Sequence, residues 1–404
     1  MSTLAALASD FPALERQGLV YLDSAASAQK PREVLDVMHE MLAHHYANIH
    51  RGVYPLAVEA TERFEGARER IAAWLGSTPE ETIFTKNATE AINLVAYSWG
   101  RRNVSRGDAI VLTQAEHHSN IVPWQLLCQE VGAHLRYLQV DDDGQISLDE
   151  LDALLADGRV RLVSVFHASN VLGTINPVAE IVAHARAAGA VTMIDGAQAV
   201  PQLPVDVGSL GADFYAWTGH KLYGPTGIGV LHGRRELLEA MPPFLAGGDM
   251  ISSVDLHETR FNELPWKFEA GTSPIAEAVG LGAAVDFVAR LGMEAIRAHE
   301  LDLTAYALER LAEVPALTVH GPREPEARGA LVSFAVNGVH PHDIAEILGR
   351  EGVCVRASHH CAQPLMRRLG VPATTRASFA VHNTRADVDR LLDALGTAET
   401  LFAD

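Results

Sequence analysis

The chain has 404 residues and only three cysteines, Cys128, Cys354 and Cys361. So few exclude a disulfide framework, and no Cys-x-x-Cys pair is present to build the commonest kind of structural zinc site. Scarce cysteine fits a reducing, cytoplasmic setting. No apolar run approaches the roughly 20 residues that a membrane span requires. The opening stretch "MSTLAALASDFPALERQG" lacks a basic segment and a long apolar segment, so it reads as a short helix and loop rather than a secretory signal. Basic clusters are also absent. Lys and Arg total 32 against 51 Asp and Glu, a net charge of −19, which argues against nucleic acid as a partner. Neither an internal repeat nor a low-complexity segment occurs.

What is present points to an enzyme of two domains, because a chain this long exceeds what one hydrophobic core serves. From residue 82 short apolar runs alternate with amphipathic helices. "ETIFT", "DAIVLT", "HLRYLQV", "RLVSVFHA" and "AVTMIDG" read as strands. "TEAINLVAYSWG", closed by Gly100, "NIVPWQLLCQEVG" and "VAEIVAHARAAG" read as helices. Ser147 and Glu150 form a capping box before the helix "LDELDALLAD". This alternation predicts an α/β domain with a mostly parallel sheet covered by helices on both faces. Ligands of such sheets sit beyond the carboxyl ends of the strands, and His117, Asn170, Asp195 and Lys221 each follow an apolar run. After residue 265 the rhythm changes to two long helices, near 274–291 and 293–313, and then to shorter strands, "VCVRAS" among them, and helices. The expected division is a large domain over 21–264 and a small α+β domain from 1–20 and 265–404.

Lys221 lies in "FYAWTGHKLYGPTGIGVLHG", just past a strand, with Thr218 and His220 beside it and four nearby glycines. Glycines there imply tight turns and close backbone approach. A lysine amine beside an anion site is what a Schiff-base cofactor requires. Asp195 ends the strand of "MIDGAQAV" and Gln198 follows it. A carboxylate there suits either a helix cap or the pyridinium nitrogen of pyridoxal 5'-phosphate. Asn87, Ala88 and Thr89 stand between a strand and a helix, where backbone N–H groups bind phosphate. His117 and His118 follow another strand, and an imidazole at that place can stack on a flat ring. A metal reading of the histidine pairs finds no third ligand at a convincing spacing. Cys128 and Cys354 lie among apolar residues and are expected to be buried packing thiols.

Taken jointly, "DSAASAQKP", "EHHSNIVPW", "HASNVLGT", "DGAQAV", "TGHKLYGPTGIG" and "HHCAQPL" resemble the cysteine desulfurases of the class V aminotransferase group. The SUF-type branch, which feeds iron–sulfur cluster assembly, is the most similar. The resemblance runs from Tyr21 to the final helix and implies the fold type I architecture of pyridoxal phosphate-dependent transferases. It implies that Lys221 carries the cofactor, Asp195 faces its ring nitrogen, Gln198 its phenolate oxygen, and His117 stacks on the ring. It further implies phosphate contacts from Ala88, Thr89, Thr218 and His220, with Thr272 completing that site from a second subunit of a homodimer. Asn170 and Arg376 match binders of the substrate carboxylate, Arg356 lies near the same pocket, and Cys361 matches the nucleophile that accepts sulfur from L-cysteine. His342, in "VNGVHPHDIAEIL", matches a residue that joins the zinc of a small sulfur-acceptor protein. The acceptor is either a zinc-bearing SufU-like carrier or a SufE-like one. The same scaffold also serves selenocysteine lyases and cysteine-sulfinate desulfinases. Three departures from the group's pattern stand out: Ala88 in place of a threonine, Ala357-Ser358 before the histidines, and His382 in place of an aromatic residue.

Overall fold

A computed structural model describes residues 3–402. At its centre is a sheet of seven strands: β1 (Thr82–Thr85), β2 (Ala109–Thr113), β3 (His134–Leu138), β4 (Val160–Phe166), β5 (Val191–Asp195), β6 (Phe214–Thr218) and β7 (Gly229–Gly233). They lie in the order β1-β7-β6-β5-β4-β2-β3. β7 is antiparallel to both neighbours, and every other pair is parallel. The period of two that defines a strand sends alternate side chains into different cores. Ala109 and Val111 enter one, with Tyr215 and Trp217. Ile110 and Leu112 enter the other, with Phe214 and Ala216. This is the expected α/β sandwich, with apolar strands buried on both faces.

Helices Arg32–His44, Pro55–Leu75, Val178–Ala187 and Ile275–Leu291 cover the first face. The helix that opens at Ala88 and the helix Val122–Val131 cover the second. The helix from Ala88 does not end at Gly100. It continues through a π-helical turn, Val95–Gly100, to Asn103. A Cβ on Gly100 would lie 2.5 Å from Leu127 Cδ2, so this glycine serves close helix packing rather than termination.

The second layer is an antiparallel sheet of β8 (Leu317–His320), β9 (Leu331–Val336), β10 (Arg356–Ser358) and β11 (Thr374–Ser378), in the order β8-β9-β11-β10. Helices Met293–Ala312, Pro341–Arg350 and Arg385–Phe402 accompany it. "VCVRAS" is not one strand. Val353–Cys354 pairs in parallel with Val20–Tyr21, and only Arg356–Ser358 joins the sheet. Packing draws a different division from the one at 264/265. Ile275–Leu291 is apolar over most of its surface and packs with the large domain. Phe11 does the same, whereas Val20 and Leu22 join the small-domain core. Cys128 is buried as expected, but Cys354 is only half-buried.

Candidate active site

The carboxyl ends of β2, β4, β5 and β6 open on a cavity of about 220 Å³, closed from the other side by the small domain. Asp195 ends β5 and is buried. One carboxylate oxygen accepts the Ala197 N–H at 3.0 Å. Burial raises its pKa, against the opposing effects of the Ala197 N–H and Lys221. Gly196 follows because no side chain fits: a Cβ would lie 2.0 Å from the Tyr215 ring. Gln198 is fixed by donating to the Ala25 carbonyl at 2.8 Å and accepting from Gln202 at 3.2 Å.

Lys221 ends a single tight turn, Gly219–Lys221, directly after β6. Burial lowers its amine pKa to about 8; Asp195 opposes this, and Arg376 and Arg356 reinforce it. Thr218 Oγ1 is buried without a hydrogen-bond partner. His220 lies 3.2 Å from Ser27 Oγ, and burial, with Lys221 and Lys30 nearby, lowers its pKa to about 4. Asn87 caps the helix from Ala88 by accepting the Glu90 N–H at 2.9 Å, while Glu90 accepts the Lys86 N–H at 2.6 Å. Ala88 and Thr89 open that helix and line the cavity, so their N–H groups belong to a first turn without intrahelical acceptors. Gly229 lets β7 pass beneath: a Cβ there would lie 2.5 Å from the Asn87 Cα.

His117 Nδ1 accepts the Ser119 N–H at 3.1 Å and lies 2.7 Å from Ser119 Oγ. The ring proton is therefore on Nε2. Burial, with Lys221 next in weight, holds its pKa down to about 3. Glu116 anchors this turn from below. It accepts from Thr113 at 2.8 Å, Asn120 at 2.7 Å and the Phe166 N–H at 3.1 Å.

The small domain supplies the remaining wall. Arg376, on β11, donates from Nη1 to the Asn170 carbonyl at 2.7 Å and from Nη2 to Asp23 at 3.2 Å; its Nε is buried without a partner. Asn170 in turn donates to the His360 carbonyl at 2.6 Å. The His360 ring lies 3.0 Å from the Thr374 carbonyl. Half-buried Cys361 and exposed Arg356 also line the cavity.

All but two of the residues expected at the site meet in this cavity. Thr272 is exposed and does not line it. His342 is exposed at the start of the helix Pro341–Arg350, its N–H bonded to the His340 ring at 3.2 Å. Among the described residues no three His, Cys, Asp or Glu side chains converge as a metal site. His382 takes the place of an aromatic residue in packing terms: it is buried, its ring 5.1 Å from that of Phe11, and burial lowers its pKa to about 4. Residue-type reasoning passed over Ser119 and Glu116. Their signal is local, a hydroxyl two residues after a histidine and an acid directly before a histidine pair at a strand end.

The donor set fits pyridoxal 5'-phosphate. The cavity is lined by an amine, a buried carboxylate and an imidazole. A helix start and an unpartnered threonine hydroxyl, both suited to an anion, line the same cavity.

The sequence matches the Aminotransferase class-V family over residues 20–391. It is 50% identical over 407 residues to a probable cysteine desulfurase of Streptomyces coelicolor, covering 98% of this chain and 97% of the relative. The fold superposes on the apo cysteine desulfurase of Thermococcus onnurineus with a TM-score of 0.93 at 39% identity, over 98% of this chain and 97% of that one. It superposes equally, at 0.93 and 38% identity, on the S-sulfonic acid form of the cysteine desulfurase CsdA of Escherichia coli, over 99% of both. The chain belongs to the aminotransferase class-V family of pyridoxal phosphate-dependent enzymes, alongside its cysteine desulfurases.

Proposed function

We propose that this enzyme converts L-cysteine to L-alanine and keeps the sulfur as a persulfide on Cys361. The observation that carries this reading is the presence of Cys361 and Lys221 in one cavity with Arg376. The cofactor, bound by Lys221 and Asp195, supplies an electron sink at the substrate's α-carbon. Arg376 and Asn170 grip the substrate carboxylate, the guanidinium offering the fork geometry that suits it. An amine whose pKa is lowered to about 8 is well placed to move the Cα proton near neutral pH. His117, neutral and donating from Nε2, orients the reacting group without adding charge. Cys361 attacks the substrate sulfur as a thiolate. The S–S bond forms as the Cβ–S bond breaks, and protonation of the carbon leaves alanine.

Sulfur leaving on Cys361 supplies a carrier for iron–sulfur cluster assembly in the manner of the SUF-type branch, within the cytoplasm. His342 is proposed to meet a zinc-bearing acceptor; its exposure at a helix start supports that role. A homodimer, with Thr272 reaching the phosphate site of the second copy, is supported by apolar residues left open to solvent. Val53 and Leu256 are 95% and 91% exposed.

The test is Cys361→Ser. Cofactor absorbance is expected to persist while cysteine desulfuration is lost. Full activity on cysteine in that variant would refute the reading. Selenocysteine and cysteine sulfinate, whose leaving groups depart without a protein thiol, distinguish the lyase and desulfinase activities in the same assay.

A further inference from the structure

One imidazole outside the cofactor contacts holds the cysteine loop. His360 and Cys361 both adopt left-handed backbone, with φ of 48° and 56°. That conformation is costly without a glycine and persists only where the surroundings enforce it. Here His118, on the large domain, grips the loop at two points just C-terminal to the Cys361 side chain. Its backbone N–H donates to the Cys361 carbonyl at 2.7 Å, and its ring Nε2 accepts the Gln363 N–H at 3.1 Å. The Cys361 N–H is occupied by His359 Nδ1 at 3.1 Å, and the His118 and His359 rings lie 5.6 Å apart. Nε2 accepts only while it is unprotonated. Burial and His359 hold the His118 pKa below its ordinary value, which keeps that acceptor available.

We propose that the His118 imidazole is a latch on the Cys361 loop, and that releasing its bond to the Gln363 amide frees the loop to carry Cys361 out of the cavity. The proposal rests on reading Cys361 as the sulfur acceptor. His118 is then a positioning residue: it sets how often the thiol is presented outward. The other titratable groups around it are His117, whose ring is 6.3 Å away, His359, and the Cys361 thiol itself.

The experiment is alkylation of Cys361 by iodoacetamide in the holoenzyme, read by mass spectrometry of the Cys361 peptide. His118→Ala is expected to react at least about threefold faster than wild type near pH 8. His118→Gln, whose amide oxygen can accept the Gln363 N–H, is expected to stay within about twofold of wild type. Because the His118 pKa lies below its ordinary value, the ratio of His118→Ala to wild type is expected to stay raised near pH 7 and to fall toward one only well below the ordinary imidazole pKa of about 6.5, as wild-type His118 gains its second proton. Equal rates for His118→Ala and wild type, or a His118→Gln as fast as His118→Ala, would overturn the latch. If His118→Ala does not fold, hydrogen exchange at the wild-type Gln363 amide decides. Protection near pH 8 supports the latch, and unprotected exchange overturns it. Alkylation reports the loop whether or not Cys361 accepts sulfur. Failure of the underlying reading shows elsewhere, as undiminished cysteine desulfuration by Cys361→Ser.

Discussion

The Arg376 guanidinium lies 3.2 Å from the Asp23 carboxylate, both near the substrate cavity, while another of its nitrogens donates to the Asn170 carbonyl at 2.7 Å. Its buried Nε has no partner. The guanidinium is thus held rigidly with donor capacity to spare for a second carboxylate. Arg376→Lys keeps a positive charge but loses the fork. Losing a charge-assisted hydrogen bond costs about 1.5–3 kcal/mol. Steady-state kinetics are expected to show KM for cysteine raised roughly tenfold or more, with kcat falling less.

Ser119 sets the tautomer of His117 through two contacts on Nδ1. Ser119→Ala removes the hydroxyl and leaves the backbone N–H, so activity is expected to fall only severalfold. His117→Ala removes the ring and is expected to cost on the order of 10²-fold or more in kcat. Comparable losses in the two variants would show that the hydroxyl, not the ring, matters.

The lowered pKa of Lys221, about 8, carries a sign that can be checked. Covalent capture of the cofactor needs the uncharged amine, whose fraction rises with pH. Recapture by the apoenzyme, followed by visible absorbance, is expected to accelerate up to about pH 8 and to level off within about one unit above it. A lysine at its ordinary pKa would keep accelerating to about pH 10. His117 and His220, held near 3 and 4, contribute no inflection in this range.

Arg68 is fully buried and grips Glu269 with two bonds, at 2.6 and 2.8 Å, and Glu65 with a third at 2.7 Å. Glu269 also accepts the Phe84 N–H at 2.7 Å. This network ties the segment leading to Thr272 onto β1 and the helix Pro55–Leu75. Arg68→Met leaves a buried carboxylate without its cation and is expected to destabilise by about 3–5 kcal/mol in urea unfolding. The double variant Arg68→Met, Glu269→Leu is expected to regain much of that loss, because the desolvation cost leaves with the charges.

The large sheet was legible in the sequence because most of its strands are apolar runs bounded by turns, and residues at strand ends are where chemistry gathers. Ile275–Leu291 was misplaced because a mostly apolar helix does not say which core it enters. Gly100 misled because a glycine for close packing and a glycine for helix termination look alike in one dimension. β10 was read too long for a related reason: Cys354 and Arg356 are only two residues apart but belong to different pairings. Asp23 lay inside a quoted motif without a role, since its partner is 353 residues away. The contribution proposed for Thr272 concerns a second copy, which the packing of one chain does not display.

The seam between the domains has a consequence for how the enzyme works. Arg376 on the small domain bonds Asn170 on the large, Asn170 bonds back to His360, and the next residue, Cys361, bonds the His118 amide. Under the function proposed above, the grip on the substrate carboxylate and the placement of the Cys361 thiol share one set of fasteners. A shift that parted the domains would disengage both at once, so cysteine would be held for reaction only with the thiol also in place. That coupling guards against a half-assembled site, in which activated substrate would meet water before it met the thiol.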